Sequence, residues 1–435
     1  MNEHENATEN EKIRAANKPN ELALEYHTRY TGKIEIGLKA PVTSYDDFAI
    51  WYTPGVAVPS RVIHERPESV YEYTNKGNFV AIVTDGTRVL GLGDVGPEAA
   101  LPVMEGKAML FKYLGGVDAF PICVATKEVE EIIAIVKALA PTFGGINLED
   151  IESPKCYELL EVLQNELPMP VWHDDQQGTA LVILAGLINA LKLVGKRLSE
   201  VTVSLIGAGA ANINVAKYMH LVGARWENMI MVDSKGILNE TRTDVRANAM
   251  KWAICEKTNR EGRSGGIAEA MRDTDVSIAL STPGPGVIKQ DWVAAMADEA
   301  IIFAAANPVP EIWPWEAEAA GARIVATGRS DFKNQINNSL GFPAVFRGAL
   351  DVRATRITDE MCIAAAVAIA RYAEEQGLRE DAIIPSMEER EMYVYEARAV
   401  GLKAIEQGVA KRKLSAAALD SEVRAHLYRE PSKTL

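Results

Sequence analysis

A chain of 435 residues with 48% hydrophobic content is too long for one ordinary core and apolar enough to fold without staples, so two domains are expected. Its net charge of −14 is spread along the chain and argues against a nucleic-acid or anionic-membrane partner, leaving room for a small anionic substrate where arginine and lysine converge. The four cysteines, Cys123, Cys156, Cys255 and Cys362, form no CxxC pair, which speaks against a disulfide frame or zinc cluster and for a reducing cytoplasm.

Residues 1–20, MNEHENATENEKIRAANKPN, form a polar tail without signal-peptide form, expected to fray. Residues 21–170 alternate strand-like runs (FVAIVTDG, DAFPICV, FGGINLED) with helical ones (GKAMLFKYLGG, EVEEIIAIVKALA) and read as a first αβ domain. Within it 91-GLGDVG-96 satisfies GxGxxG, but Asp94 would aim its charge at a pyrophosphate and no plain strand precedes it. An irregular loop is therefore expected there. Residues 171–398 carry VTVSLIG, NMIMVD, DVSIALS, AIIFAAAN and RIVATG between helical runs, the alternation of a doubly wound, Rossmann-type parallel sheet covered by helices. The apolar run 180-ALVILAGLINAL-191 is shorter than a bilayer span and reads as a buried helix. Residues 399–435 close the chain as a C-terminal helical segment. The fold class is α/β, with two domains.

The turn 207-GAGAAN-212 lacks the third glycine of the dinucleotide fingerprint but has its context. It follows a strand and opens a helix, and the next strand ends in Asp233, at the spacing of an acid that binds the adenosine ribose. Gly207 and Gly209 let the backbone approach a diphosphate, and Ala210 begins the helix whose N-terminus offers free N–H donors. Asn212 is expected to push that helix slightly off the strand. Ser234 and Lys235 would suit a 2′-phosphate if Asp233 turned away. A fixed carboxylate beside the ribose is the stronger constraint, so the reading leans to NAD over NADP.

Glu149 and Asp150 end a strand, and about 25 residues later Asp174 and Asp175 end another, the interval that returns a chain to the same sheet edge. Carboxylates so placed, without a histidine or cysteine cluster, suit a hard divalent ion, Mg²⁺ or Mn²⁺. His173 beside them reads as structural. Lys107 lies in the small-residue apolar run EGKAML, where desolvation or a metal cation would lower its pKa enough for general-base work.

From about Ala23 onward the sequence resembles the bacterial short-form malic enzymes, through YTPGVA, VTDGTRVLGLGDVGPEAALPVMEGKAMLFK, GGINLEDI, HDDQQGTA, VDSKGIL, ANPVPE and TGRSDFKNQINNSLGFPAVFRGALDV. The resemblance implies oxidative decarboxylation of malate to pyruvate and CO₂ with NAD or NADP, and oxaloacetate decarboxylation beside it. It implies Tyr52 and Lys107 as the acid–base pair, Glu149, Asp150 and Asp175 as metal ligands, and Arg88, Asn307 and Asn338 as substrate-carboxylate donors, with Asn307 also on the cofactor side. It further implies a homodimer or higher oligomer. Asp174 is then free to orient Lys107. The chain departs from the family at Asn212, at Trp172, where another apolar residue is common, and in its polar tail. The first bears on cofactor affinity, and the other two are expected to leave the chemistry untouched. The alternatives are a non-redox malate-to-lactate decarboxylase with tightly held NAD and a catalytically inert dinucleotide-binding regulator.

Overall fold

The computed structural model describes residues 9–329 and 331–429. The strand-like runs segregate into two sheets. Four parallel strands, β1 (Phe79–Thr84), β2 (Asp118–Cys123), β3 (Gly145–Leu148) and β4 (Val171–His173), lie in the order β2-β1-β3-β4. Six more, β5 (Val203–Ile206), β6 (Met229–Asp233), β7 (Gly236–Ile237), β8 (Val276–Ala279), β9 (Ile301–Ala304) and β10 (Ile324–Thr327), lie in the order β10-β9-β8-β5-β6-β7. All neighbours in this sheet run parallel except β6 and β7. β5, β8, β9 and β10 are buried along their whole length. A parallel strand covered on both faces has no solvent side, so its sequence runs apolar without alternation.

The second sheet reverses direction beside β5, which has β6 on one side and β8 on the other. Open α/β sheets bind ligands at such switch points, outside the carboxyl ends of the strands. The apolar helix Thr179–Leu193 joins the two sheets. With the turn before it, Asp174–Leu193 is long and apolar enough to cross a membrane, yet 78% of it is buried. It packs against the helices Ala210–Leu221 and Asp359–Gln376, and its side chains run through one core that reaches from Val80 to Leu427.

Three boundaries depart from the sequence reading. Val171–His173 pairs in parallel with Ile146–Leu148, so a domain beginning at residue 171 would strip the first sheet of its last strand. A segment beginning at residue 399 would cut the helix Arg390–Glu406 in two. That helix packs on Phe342–Asp351, which in turn packs on Pro97–Gly115 of the first unit, so the C-terminal helices form the seam between the sheets. Finally, the polar N-terminus does not fray from Glu9 onward but forms the helix Glu9–Tyr30, in keeping with its Glu, Lys, Ala and Leu content. Residues 1–8 of the tail and 430–435 of the last segment lie outside the described residues.

Candidate active site

The carboxyl ends of β1, β3 and β4 supply one wall of a cleft of about 640 Å³, with Arg88, Lys107, Glu149, Asp150 and Asp175 upon it. After β3, the Glu149 N–H donates to the Val83 carbonyl at 2.9 Å, and Asp150 takes a left-handed φ of 53°. After β4, a single π-helical turn, Asp174–Gly178, sends the two neighbouring aspartates in different directions. Asp175 faces the cleft, where its Oδ2 accepts the Asp150 backbone N–H at 2.9 Å. Asp174 points inward and is wholly buried.

Glu149, Asp150 and Asp175 each offer a carboxylate oxygen within 4.8 Å of the other two. Burial and the neighbouring Asp175 charge push the Asp150 carboxyl up to about 8, and burial holds Glu149 well above the carboxylate range. Asp150 Oδ2 is buried with no hydrogen-bond partner. Three crowded oxygen donors, one of them orphaned, fit a hard divalent cation, the charge this cluster lacks. His173 is buried beside them, its Nδ1 3.6 Å from Asp175 Oδ2, and burial lowers its pKa.

Lys107 stands on the helix Pro97–Gly115, 7% exposed. Its ammonium bonds Asp174 Oδ2, lies 2.9 Å from Glu149 Oε1, and sits 4.2 Å from the centre of the Phe342 ring. Burial alone would depress its pKa, but the Asp174 and Glu149 carboxylates outweigh burial and hold it above the ordinary lysine range. Desolvation by itself therefore does not lower the Lys107 pKa as expected, because the apolar EGKAML run says nothing of carboxylates arriving from other strands. Asp174 is a hub: Oδ2 also accepts from the Asn338 side-chain amide, and Oδ1 accepts from the Trp172 indole N–H at 3.1 Å. Trp172 therefore touches the site through Asp174.

The arginine turn is tied to the acidic one. Asp85 Oδ1 accepts the Thr87 N–H and hydroxyl at 3.1 and 2.6 Å, and Lys155 pairs with Asp85 Oδ2 at 2.5 Å. The Arg88 N–H donates to the Asp150 carbonyl at 3.0 Å, and the Glu152 N–H to the Thr87 hydroxyl at 3.0 Å. The following GLGDVG loop is irregular, as expected, with Asp94 paired to Lys127 at 2.6 Å. Its Gly91 serves interdomain contact: a Cβ there would lie 2.7 Å from Pro283 Cγ and 3.1 Å from the Asn307 carbonyl.

The opposite wall carries Gly209, Ala210, Ser281, Asn307 and Asn338. Gly207, at φ 100°, leaves no room for a side chain, since a Cβ would lie 2.5 Å from the Leu280 carbonyl. Asn212 turns back onto the strand end. It is buried, and its amide donates to the Ile206 and Gly207 carbonyls at 2.9 and 2.8 Å, clamping the turn to the strand end as a third glycine could not. Asp233 accepts the Lys235 N–H at 2.9 Å, and both its oxygens face Arg242 Nη2 at 3.1 Å, with Lys251 at 3.3 Å. Ser234 is exposed, and the Lys235 ammonium turns to Asp244 at 3.3 Å. Sequence reasoning missed Arg242 and Lys251, which belong to no motif. It also missed Glu311, whose buried carboxylate accepts Ser281 N–H, Ser281 hydroxyl and Ala306 N–H at 2.8, 3.0 and 3.1 Å and so ties together the ends of β8 and β9. The glutamate of ANPVPE was its available signal.

One expected member is not brought in. Tyr52 is 70% exposed and does not line the cleft that holds Lys107. It stands on an arm that also exposes Leu24, Ile36, Tyr45, Ile50, Trp51 and Val58.

Comparison with known proteins places these features. Residues 31–164 match the malic enzyme N-terminal domain and residues 176–405 the malic enzyme NAD binding domain. The bifunctional malic/malolactic enzyme of Bacillus subtilis is 50% identical over 391 residues, covering 90% of this chain and 94% of that protein. The NAD-dependent malic enzyme of Geobacillus stearothermophilus is 50% identical over 381 residues, 88% of this chain and 78% of its own. The crystal structure of Entamoeba histolytica malic enzyme superimposes with a TM-score of 0.94 at 46% identity, covering 97% of this chain and 89% of that one. Relatives named for each of the two coenzymes, NAD and NADP, are among the matches.

Proposed function

The chain belongs to the malic enzyme family and oxidatively decarboxylates malate to pyruvate and CO₂ with reduction of a nicotinamide dinucleotide, and from that premise we propose a role for each residue of the cleft and NAD as the coenzyme. The observation that carries the reading is the convergence of Lys107, bound to Asp174, with three crowded carboxylates and the turn of Arg88, opposite the Gly207 turn.

Malate must lose a hydride from C2 and the proton of its C2 hydroxyl, then CO₂, and the enolpyruvate left behind must gain a proton at C3. A divalent cation held by Glu149, Asp150 and Asp175 would supply Lewis-acid polarisation of the C2 oxygen, and the dinucleotide a hydride acceptor. Lys107 takes the hydroxyl proton as the neutral amine: its ammonium first releases a proton to solvent, which becomes easier once Glu149 no longer shares it, and Asp174 remains to fix Nζ. Arg88 grips a malate carboxylate in the bidentate fashion of a guanidinium, and Asn307 and Asn338 donate to its oxygens. Tyr52 protonates C3. The exposed apolar arm supports a homodimer, in which Tyr52 reaches the Lys107 cleft of the other copy. Four unpaired thiols support a cytoplasmic setting.

Malate with NAD and Mg²⁺ or Mn²⁺ is expected to yield one reduced coenzyme per pyruvate, read as nicotinamide absorbance beside pyruvate release. Lactate formed without net reduced coenzyme would replace this reading with the malolactic one.

Asp233 at the end of β6 accepts ribose hydroxyls and repels a 2′-phosphate, which favours NAD. Arg242 and Lys251, on the same carboxylate, favour the second reading, NADP, since they offset that repulsion. Removing the guanidinium with Arg242→Ala uncovers Asp233. Its kcat/KM for NADP is expected to fall about tenfold or more, the scale of one charge-assisted contact, with NAD affected less. Wild-type kcat/KM with both coenzymes decides the proposal: a preference for NADP that collapses in Arg242→Ala overturns the choice of NAD.

A further inference from the structure

We infer that Trp172 is a positioning residue for proton transfer: its indole N–H fixes the Asp174 carboxylate in the orientation that seats both Lys107 and Asn338. The inference rests on Lys107 as the base.

Asp174 is wholly buried, so its oxygens depend on donors from within the protein. Oδ2 has two, the Lys107 ammonium and the Asn338 amide. For Oδ1 the Trp172 indole N–H at 3.1 Å is the side-chain donor among the described residues. A carboxylate held at one oxygen alone can turn about Cβ–Cγ; held at both, it cannot. The two bonds at Oδ2 lead to groups with different tasks, the base and a substrate-carboxylate donor, so a rotation of Asp174 would displace both at once.

The indole is itself fixed. It is fully buried and meets the edge of Phe346 with ring centres 6.4 Å apart at 70°. The backbone closes over the contact at Gly178, where a Cβ would collide with Asp174 Oδ1 and come within 3.3 Å of Trp172 Cζ2. Trp172 ends no strand and faces no solvent, and its polar atom, the indole nitrogen, is spent on Asp174. A purely apolar ring here would fill the space and leave a buried anionic oxygen without its donor, the expensive half of a broken hydrogen bond.

The test separates the N–H from the ring. Trp172 is replaced site-specifically by β-(3-benzothienyl)alanine, which has the same shape with sulfur in place of N–H, and by Trp172→Phe. The benzothienyl protein is expected to keep the wild-type coenzyme KM and to lose less Tm than Trp172→Phe, which gives up ring packing as well. Its kcat should fall about tenfold, the scale of one hydrogen bond to a charged group, a loss in kcat that a merely structural ring would not produce with KM unchanged. Trp172→Phe should show the same kinetic change with a lower Tm. A benzothienyl protein with wild-type kcat overturns the inference, whatever Trp172→Phe does. Lys107→Ala in the same assay tells the two failures apart: if it keeps wild-type turnover, the base assignment falls and Trp172 with it, whereas a dead Lys107→Ala beside a fully active benzothienyl protein removes Trp172 alone.

Discussion

Asp175→Ala is expected to lower kcat for malate oxidation about a thousandfold or more, since Lewis-acid stabilisation is worth several kcal/mol and each ~1.4 kcal/mol is a factor of ten. The protein should remain folded. Asp175 is part-exposed and accepts one backbone hydrogen bond, from Asp150, so its loss opens no cavity. It also removes an anion from beside Asp150, whose carboxyl the Asp175 charge helps to push up. In the absence of metal the variant should therefore be at least as stable as the wild type. Added Mg²⁺ or Mn²⁺ should raise the Tm of the wild type and not that of Asp175→Ala, as a ligand that binds the folded state must. The sign of the pH effect follows from the same carboxyl. A cation must displace the proton held on Asp150 up to about pH 8, so metal affinity is full above that value and weakens as the pH falls below it. Thermal-shift titrations at several pH values check all three expectations. An equal metal-induced rise in Tm for Asp175→Ala would remove these residues from the metal site.

The second large effect concerns where the acid–base pair comes from. Lys107→Ala removes the base and Tyr52→Phe the acid, and each is expected to cost about 10²–10⁴ in kcat. Lys107→Ala carries a stability cost as well, since it leaves Asp174 and Glu149 buried without the ammonium that both now share. The informative experiment mixes the two inactive chains by coexpression. With an exposed Tyr52 serving the other copy's cleft, a mixed dimer holds one site with both lesions and one intact site. About half the dimers are mixed and half their sites intact, so about a quarter of the wild-type turnover should return. If Tyr52 and Lys107 of one chain act together, every site in the mixed dimer carries one lesion and no activity returns. The exposure of Tyr52 and its apolar neighbours is what favours recovery.

The elements that could be read along the chain are those whose signal is local. Runs such as VSLI, IIFA and IVAT are apolar throughout because both faces of a parallel strand are covered, and they became β5, β9 and β10. The strand–glycine–helix order at Gly207 and the acids at the ends of β3 and β4 were legible for the same reason. In parallel sheets the residue after a strand lies at one common edge, so sequence position alone places Glu149, Asp150 and Asp175 together.

The properties set by distance through space come from the packing of elements far apart in the chain. The charge state of Lys107 depends on Asp174, 67 residues away in the chain, and an electrostatic interaction across a few ångströms of low-dielectric interior is indifferent to that separation. Arg242 reaches Asp233, Asn212 turns its amide onto the strand it was expected to repel, and Trp172 spends its indole N–H on Asp174. Tyr52 is the converse case: a motif residue that the fold leaves outside its own cleft. Hydrophobic periodicity determines which side of an element is buried; which polar groups then meet in that interior depends on how several elements cross, and no single stretch of the sequence carries that information.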